Sequence, residues 1–358
     1  MQELVYRAVI LLREMVKIPS FSGEEGQVCS TIVEYLHSKG VKHTRVNNNI
    51  IALSPNFNSS KKTLMLNSHI DTVKPALGYS SDPFDPGSDA AVVRGLGSND
   101  AGGAVVTMIE SFLYLCSEEQ KLEEEGLPFN LVLLLSAQEE NSGADGIALA
   151  LKHAPKIDAA IVGEPTQMKG AIGERGLIVL DCTTRGVSGH AAHPGGVNAL
   201  YKAVEEIDKI RNFHFHNISP TMGEIKMSVT QIEAGRAHNV IPESCSFVVD
   251  IRTTDILSNQ EVVDLLSSHL ECEIVPRNMK NRSSSTPVGS PLLVALRDAN
   301  IESYISPTTS DWMRIEAPAI KMGPGDSTRS HAPDEYITVE ELQQGIEGYI
   351  NFIKRLKL

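Results

Sequence analysis

The chain has 358 residues, of which 41% are hydrophobic and 22% are charged, and its formal net charge is −13. This length favours two domains over a single core, and the acidic charge argues against nucleic acid or an anionic membrane surface as a partner. The cysteines are scattered without a CxxC pair, which argues against a disulfide framework and a cysteine-based metal site: Cys29, Cys116, Cys182, Cys245 and Cys272.

No apolar run is long enough to predict a membrane span, since the longest covers only residues 131–137. Residues 1–20 show helical periodicity with acidic residues, and they lack the basic start and small-residue cleavage site of a signal peptide. We therefore expect a cytoplasmic protein without a membrane partner.

Helices and strands alternate over the first half of the chain. Hydrophobic periodicity predicts helices at 1–17, at about 24–39 with Ser22 as N-cap, from near Asp100 onward, and at 143–152, with strands at 63–68, 130–136 and 158–162. The acidic run at 118–126 is interpreted as a solvated helix end or connector. The alternation predicts an α/β domain with a mostly parallel sheet and helices on both faces.

The pattern changes near residue 174. Strands with one-sided alternation are predicted at 176–185, 224–233 and 245–252, and helices at 197–211 and 258–268, which together indicate a smaller α+β domain. A polar linker at 277–290 then leads to a helix at 291–299, a strand at 318–322 and a final helix at 339–357. The expected domains are therefore 1–173 and 286–358, forming one catalytic domain, with 174–285 inserted between them.

Titratable side chains follow the predicted strands of the larger domain. His69, the Glu139–Glu140 pair and Glu164 each lie just past the end of an apolar strand. Asp100 lies where a loop meets a helix, and His331 follows the strand at 318–322 through a loop. Because open α/β sheets bind ligands at the carboxyl ends of their strands, we expect these groups to converge on one edge.

Imidazole and carboxylate groups without thiolate are typical of a catalytic zinc, cobalt or manganese site. Two such ions, roughly 3.5–4 Å apart, need a bridging carboxylate and further ligands on each side. Asp100 can bridge, with the two histidines and two of the glutamates around it. Asp71 can accept a hydrogen bond from the free ring nitrogen of His69, and Glu139 is then available to move a proton.

Six motifs follow one another along the chain: SHIDTV (68–73), GLGSNDAGG (95–103), SAQEE (136–140), VGEP (162–165), RGVSGHAAHP (185–194) and GPGDSTRSHAPDEY (323–336). Taken together, they resemble a family of di-zinc exopeptidases and deacylases that includes acetylornithine deacetylase, succinyl-diaminopimelate desuccinylase, aminoacylase and bacterial glutamate carboxypeptidase. The resemblance covers essentially the whole chain. It implies a zinc-exopeptidase-like catalytic domain interrupted by a lid domain through which members commonly form homodimers.

The resemblance also implies two Zn²⁺ ions per subunit, for which Co²⁺ or Mn²⁺ could substitute. Matched motif by motif, His69 and Glu164 would hold one ion and Glu140 and His331 the other. Asp100 would bridge the two ions.

Catalytic roles follow from the same motifs. Glu139 matches the family's general base, and Asp71 would orient the histidine that precedes it in HID. His190, in GVSGH, matches a lid histidine that reaches the active site of the neighbouring subunit and stabilises the developing oxyanion.

Substrate-binding positions are implied in the same way. Arg175 in GERG, Asn239 in HNVIP and Arg252 in VVDIRTT match positions that handle the substrate, with Arg252 on its carboxylate. Gly325 and Ser327 lie in the loop 323–331, which would line the pocket.

The resemblance is strongest to enzymes that act like acetylornithine deacetylase. We therefore expect a zinc-dependent hydrolase that removes an acetyl, or a succinyl, group from ornithine, citrulline or lysine in an arginine-type biosynthetic pathway. A succinyl-diaminopimelate-type desuccinylase and a di- or tripeptidase with the same metal centre are the alternatives, and a catalytically silent metal-binding relative is a remote one. The STRSH sequence departs from the commoner form of its loop, which leaves the acyl and side-chain preference open.

Arg329 offers two interpretations within that loop. Its guanidinium could pair with a second substrate carboxylate, as on a succinyl group. Alternatively, it is a surface arginine or is paired with Asp326 or Asp334.

Overall fold

A computed structural model describes residues 1–121 and 127–358. The interpretation of the acidic run at 118–126 therefore falls in part outside the described residues. The helices are α1 (Gln2–Val16), α2 (Gly26–Ser38), α3 (Gly103–Lys121), α4 (Ile147–Ala150), α5 (Ala199–Asn212), α6 (Asn259–His269), α7 (Pro291–Asp298) and α8 (Val339–Arg355). The strands are β1 (His43–Val46), β2 (Asn49–Leu53), β3 (Thr63–His69), β4 (Val92–Arg94), β5 (Asn130–Ser136), β6 (Ala159–Gly163), β7 (Gly170–Glu174), β8 (Gly176–Arg185), β9 (Gly189–His190), β10 (Lys226–Ala234), β11 (Val240–Ile241), β12 (Ser244–Thr253), β13 (Glu273–Pro276), β14 (Ser284–Ser285), β15 (Ser303–Ser306), β16 (Ala319–Lys321) and β17 (Tyr336–Thr338).

The chain forms two compact units. The larger comprises Met1–Ile172, Ser285–Tyr304 and Ser310–Leu358, and the smaller comprises Gly173–Ser284 and Ile305–Thr309. Residues 305–309, which the sequence assigns to the larger domain, thus group with the smaller unit. Among the described residues, no helix is both long and apolar enough to cross a membrane.

The larger unit is built on a sheet whose strands run in the order β1-β2-β5-β3-β6-β16-β7. Its centre is parallel, because β3 pairs in parallel with β5 and β6, and β16 pairs in parallel with β6. Antiparallel pairs flank this centre at β1–β2, β2–β5 and β16–β7. The predicted α/β class with a mainly parallel sheet is confirmed.

Helices cover both faces of this sheet, which explains why β3 and β5 are buried along their whole length. Leu64 and Leu66 of β3 pack into a cluster with α1, α2, α3, α7 and α8. Met65, between them, points into a second cluster with α4 and Trp312. The apolar runs in the sequence therefore correspond to strands buried on both sides.

The predicted N-cap of the second helix is wrong. α2 begins at Gly26 with Glu25 at the N-cap position, and no side chain caps it. The hydroxyl of Ser22 instead donates a hydrogen bond to the carboxylate of Asp71 at 2.7 Å. The hydroxyl of Ser22 therefore binds the distant carboxylate of Asp71 and does not cap α2.

Two other helix boundaries differ from prediction. The helix expected near Asp100 begins at Gly103, because Ser98–Gly102 forms an irregular turn in which Asp100 is non-helical, with φ −115° and ψ 99°. The helix expected at 143–152 is confined to α4 at Ile147–Ala150. At Gly146, a Cβ would collide with the backbone carbonyl of Ala137, so the chain turns closely against the end of β5 there.

Several short strands were not predicted from the sequence. β1 and β2 form a hairpin around Asn47 and Asn48, with Asn47 at φ 52°. Asparagine tolerates this left-handed conformation and favours two-residue hairpin turns. The pairs β4–β17 and β9–β11 are only two or three residues long, so alternation could not reveal them.

The smaller unit has an antiparallel sheet in the order β10-β12-β8-β13, with α5 and α6 packed on one face. Residues of β8 and β12 alternate strictly, and Ile178, Phe247 and Ile251 are among those buried beneath the helices. The intervening residues, including Asp250 and Arg252, lie half-buried on the open face. This agrees with two helices on a small antiparallel sheet, as predicted.

Candidate metal centre

The parallel strands of the larger unit bring three predicted ligand segments to one edge of the sheet. β3 ends at His69, β5 ends three residues before Glu139, and β6 ends directly before Glu164. His69 is aligned with Ser136 in the β3–β5 register. Because parallel strands end at the same edge, residues that are distant in sequence meet there.

The first group of possible ligands surrounds His69. Its Nε2 lies 3.2 Å from Oδ1 of Asp100 and 3.9 Å from Oε1 of Glu164. His69, Asp100 and Glu140 also offer ligand atoms that lie within 4.8 Å of one another. The side chain of His69 is buried, so these oxygens face it in a protected site.

A second group lies around His331. Its Nε2 is 3.0 Å from Oε1 of Glu140 and 3.8 Å from Oδ2 of Asp100. The two oxygens of Asp100 thus face different histidines, Oδ1 towards His69 and Oδ2 towards His331. A carboxylate in this position can bridge two cations.

Asp71 contacts the other ring nitrogen of His69, Nδ1. The Nδ1 atom of His69 lies 2.9 Å from the backbone oxygen of Asp71 and 3.4 Å from its Oδ1. The Asp71 carboxylate also accepts hydrogen bonds from the backbone N–H groups of Glu139 and Glu140 and from Ser22. Burial raises the pKa of Asp71, but the hydrogen bond and the charge of His69, together with the hydrogen bonds from Ser22 and Glu139, outweigh burial and hold this pKa below its ordinary value.

Glu139 lies within the same cluster. With His69 and Glu164 it offers a second set of ligand atoms within 4.8 Å of one another. Burial raises the pKa of Glu139 well above its ordinary value, opposed by His69 and reinforced by the negative charges of Glu164, Asp311 and Glu140. Distance alone therefore does not separate a base from a ligand at this position.

The donor set fits divalent cations. Burial raises the pKa of Glu164 to about 8, opposed by His69 and reinforced by the charge of Asp100. Several partly buried carboxylates that face one another are unfavourable without positive charge, and oxygen and imidazole donors suit zinc, cobalt or manganese. His69, Asp100, Glu140, Glu164 and His331 are the residues that would hold such ions.

Glu335, which was not predicted from the sequence, holds the loop that carries Asp100. Its buried carboxylate accepts backbone hydrogen bonds from Gly97 at 3.0 Å, Asn99 at 2.9 Å and Asp100 at 2.8 Å. The motif GPGDSTRSHAPDEY contains this glutamate, but only the fold reveals its partners.

A second buried acid, Asp311, was also missed. It accepts hydrogen bonds from the hydroxyl of Ser136 and from Nδ2 of Asn67, near the ends of β5 and β3. Burial raises the pKa of Asp311 to about 6. Asp311 lies far from these strands in sequence, so no local pattern could have linked them.

The loop at 323–331 contains two predicted substrate-binding residues. Gly325 is buried with φ 89°, and a Cβ there would collide with the side chain of Asn99, so packing alone requires glycine. Ser327 is exposed at the start of a short 3₁₀ turn.

Arg329 in the same loop is already paired. Its Nη1 donates to Oε2 of Glu341 at 2.9 Å, and its guanidinium lies 4.2 Å from the ring centre of Tyr336. The second interpretation expected Asp326 or Asp334 as the partner of Arg329, but the partner is Glu341.

Four predicted site residues lie in the smaller unit, namely Arg175, His190, Asn239 and Arg252. The guanidinium of Arg175 donates to the backbone oxygens of Met222 and Glu224, so this arginine is occupied by its own unit. Asn239 is exposed, and its backbone oxygen accepts a hydrogen bond from Ala191.

The hydrogen bonding of His190 defines its tautomer. Its Nδ1 lies 3.1 Å from the backbone N–H of Ala192, which donates to it. In the neutral ring the proton is therefore on Nε2. The ring is exposed, and Nε2 can donate a hydrogen bond without the ring being charged.

Comparison with known proteins decides the family. The model of peptidase family M20/M25/M40 matches residues 65–355. The chain belongs to this family. The family comprises hydrolases that act as peptidases or deacetylases, which agrees with the resemblance found in the motifs.

Individual relatives of this M20 family member differ in their named activities. It is 26% identical over 381 residues to a probable carboxypeptidase of Ajellomyces capsulatus, covering 96% of this chain and 85% of that protein. It is 25% identical over 366 residues to acetylornithine deacetylase of Edwardsiella ictaluri, covering 93% of each chain. The structure of aminopeptidase PepT from Bacillus cereus aligns with a TM-score of 0.75 at 16% identity, covering 98% of both chains.

Proposed function

We propose that this M20 family member is a metal-dependent amidohydrolase that removes the N-acyl group from a small amino acid such as N-acetyl-ornithine, -citrulline or -lysine. The observation that carries the proposal is the position of Asp100. Its two oxygens face His69 on one side and His331 on the other, and each histidine has a glutamate beside it. This arrangement supports two cations joined by one carboxylate.

Two divalent ions, when bound, polarise an amide carbonyl and acidify nearby water. Glu139 takes the proton from the attacking water and transfers it to the departing amine. Its position supports this role, because Glu139 lies in the cluster with His69 and Glu164 while the neighbouring Glu140 lies beside His331. His190 donates from Nε2 to the developing oxyanion, consistent with its tautomer.

The substrate class rests on a free carboxylate next to the cleaved amide. In this proposal Arg252 binds that carboxylate, while Asn239, Gly325 and Ser327 contribute to the pocket. Arg175 is a weaker candidate because its donors are already used by backbone oxygens. A relative named acetylornithine deacetylase, from Edwardsiella ictaluri, is similar over 93% of each chain, which supports this substrate class.

A carboxypeptidase is the second candidate. Several fungal relatives that cover 96% of this chain are named probable carboxypeptidases. Such an enzyme would use the same metal centre and would recognise the same free carboxylate, but its acyl group would be a peptide. The size of the acyl group therefore separates the two candidates.

We further propose a cytoplasmic homodimer that acts in amino-acid biosynthesis of the arginine type. The smaller unit is the candidate dimerisation domain, and His190 is proposed to act in the active site of the partner subunit.

The test is a substrate panel with the purified protein, stripped of metal and reloaded with Zn²⁺, Co²⁺ or Mn²⁺. The panel contains N-acetyl- and N-succinyl-ornithine, -citrulline and -lysine, N-succinyl-diaminopimelate, dipeptides and N-blocked peptides with a free carboxyl end. We expect metal-dependent hydrolysis with kcat/KM at least tenfold higher for the N-acetyl amino acids than for peptides. Preferential release of C-terminal residues from peptides would replace the deacetylase with the carboxypeptidase.

A further inference from the structure

The guanidinium of Arg252 is held side-on by a neighbour on its own strand. Its Nε lies 2.8 Å from Oδ1 of Asp250, and its Nη2 lies 3.1 Å from Oδ2. Both residues are on the open face of the β10-β12-β8-β13 sheet. The pair is bidentate, so it fixes the orientation of the guanidinium as well as its position.

This geometry leaves the end of the guanidinium available. Arginine has five N–H donors, and the side-on pair uses only one on Nε and one on Nη2. Among the described residues, none accepts a hydrogen bond from Nη1 of Arg252. One N–H of Nη1 and the second N–H of Nη2 therefore form a free fork whose spacing matches a second carboxylate.

The local charge also favours a second anion. Lys226 on β10 is directly opposite Arg252 in the strand register, which brings two cations side by side. Asp250 compensates one of them, so this group of three retains one positive charge. Like charges on directly opposed residues are unfavourable, and a bound carboxylate relieves the repulsion.

We propose that Asp250 is a positioning residue that fixes the Arg252 guanidinium side-on and presents its free fork to the substrate carboxylate. The inference rests on the proposed function, in which Arg252 binds that carboxylate. Holding the guanidinium in its binding orientation before the substrate arrives avoids the loss of side-chain freedom on binding.

The same sheet contains a matched control. Arg277 pairs side-on with Asp181 through Nε at 2.9 Å and Nη2 at 2.7 Å. This pair is more exposed, at 52% and 46%, than Arg252 and Asp250, at 33% and 30%. It has the same chemistry and belongs to no proposed site.

The experiment compares Asp250→Asn, Asp250→Glu, Arg252→Ala and Asp181→Asn in the metal-loaded enzyme. The probes are N-acetyl-ornithine and its α-carboxamide, which lacks the carboxylate charge. We expect Asp250→Asn to raise KM for the acid by about tenfold, with kcat within about threefold, and to leave KM for the carboxamide unchanged. Asp250→Glu should recover part of the loss, and Asp181→Asn should behave as the wild type.

The possible outcomes distinguish the positioning role of Asp250 from the carboxylate-binding role of Arg252. A raised KM in Arg252→Ala but not in Asp250→Asn would overturn the positioning role and leave the proposed function intact. Unchanged KM for the acid in Arg252→Ala would remove the carboxylate-binding role on which the inference rests. Equal changes with both probes in Asp250→Asn would mean that Asp250 only maintains the sheet, which also overturns the inference.

Discussion

The carboxylate of Asp71 holds the backbone of Glu139, accepting its N–H at 3.0 Å through Oδ1. Its other oxygen accepts the N–H of Glu140 at 3.1 Å, and the ring of His69 lies 3.4 Å from Oδ1. One buried side chain therefore orients the proposed base and two proposed ligands together.

Asp71→Asn should impair both stability and catalysis. The amide nitrogen of asparagine cannot accept a hydrogen bond, so it leaves one backbone N–H without a partner, at a cost of about 1–3 kcal/mol in the free energy of unfolding. We expect turnover or metal affinity to fall by about 10–100-fold, as for groups that orient ligands. Urea unfolding, metal content and kcat measure these effects.

Asp158→Asn is the matched control, because Asp158 accepts a backbone N–H from Thr63 at the other end of β3. It should lose stability without a comparable loss of turnover. Equal catalytic effects in both variants would mean that Asp71 acts only through the stability of the strand.

The sequence was sufficient for the elements with long apolar runs and for the residues that follow them. β3, β5 and β6 were recognisable because strands buried on both faces are continuously hydrophobic. His69 and Glu164 could be placed because His69 is the last residue of β3 and Glu164 directly follows β6. Their assignment to the same ion came from the family resemblance and remains a prediction.

The sequence was insufficient wherever tertiary contacts decide. Serine is a residue type preferred at helix N-caps, but the hydroxyl of Ser22 binds Asp71. Glu335 and Asp311 are ordinary surface acids by local pattern, and only the fold buries them against distant backbone and hydroxyl groups.

When metal has been removed, the free energy of unfolding of the protein should fall as the pH rises. In the metal-free site, burial raises the pKa of Glu164 to about 8, and the hydrogen bond with Glu140 raises that of His331 to about 9. Both groups bind protons more tightly in the folded chain. Their contribution is therefore present at low pH and is lost as the pH rises from about 4.5 through about 9.

Calorimetry of the EDTA-treated protein from pH 5 to pH 9 tests this expectation. Tm should fall with pH, and Glu164→Gln should fall less steeply because it lacks one of the titrating groups. Adding Zn²⁺ should raise Tm most at high pH, where the ligands are deprotonated. A Tm that rises with pH in the metal-free protein would contradict this description of the site.

His190 should act in trans if the proposed dimer is correct. Mixing His190→Ala with Glu139→Gln subunits after dissociation creates dimers in which one active site has both residues intact. Activity in the mixture should exceed that of either variant alone and approach about a quarter of the wild-type value. Mixtures no more active than the parent variants would show that His190 works within its own chain or has no catalytic role.

Arg329→Ala should not change acyl selectivity. The guanidinium is already bound to Glu341 and lies over Tyr336, so the structure favours a role in holding this loop. We expect a loss of about 1 kcal/mol or less in the free energy of unfolding and equal effects on N-acetyl- and N-succinyl-ornithine. A fall in kcat/KM of tenfold or more confined to the succinyl substrate would instead support pairing of Arg329 with the succinyl carboxylate.

In the proposed function Glu139 moves the proton and Glu140 binds metal, and a paired measurement on two variants distinguishes these roles. Metal content and kcat are determined for Glu139→Gln and Glu140→Gln, purified and reloaded with Zn²⁺ in parallel. Glu139→Gln should retain about two ions per subunit and lose more than the roughly 10²–10⁴-fold that is usual for one acid–base group. Glu140→Gln should lose about one ion. Loss of an ion in Glu139→Gln with full occupancy in Glu140→Gln would show that the two residues have the opposite roles.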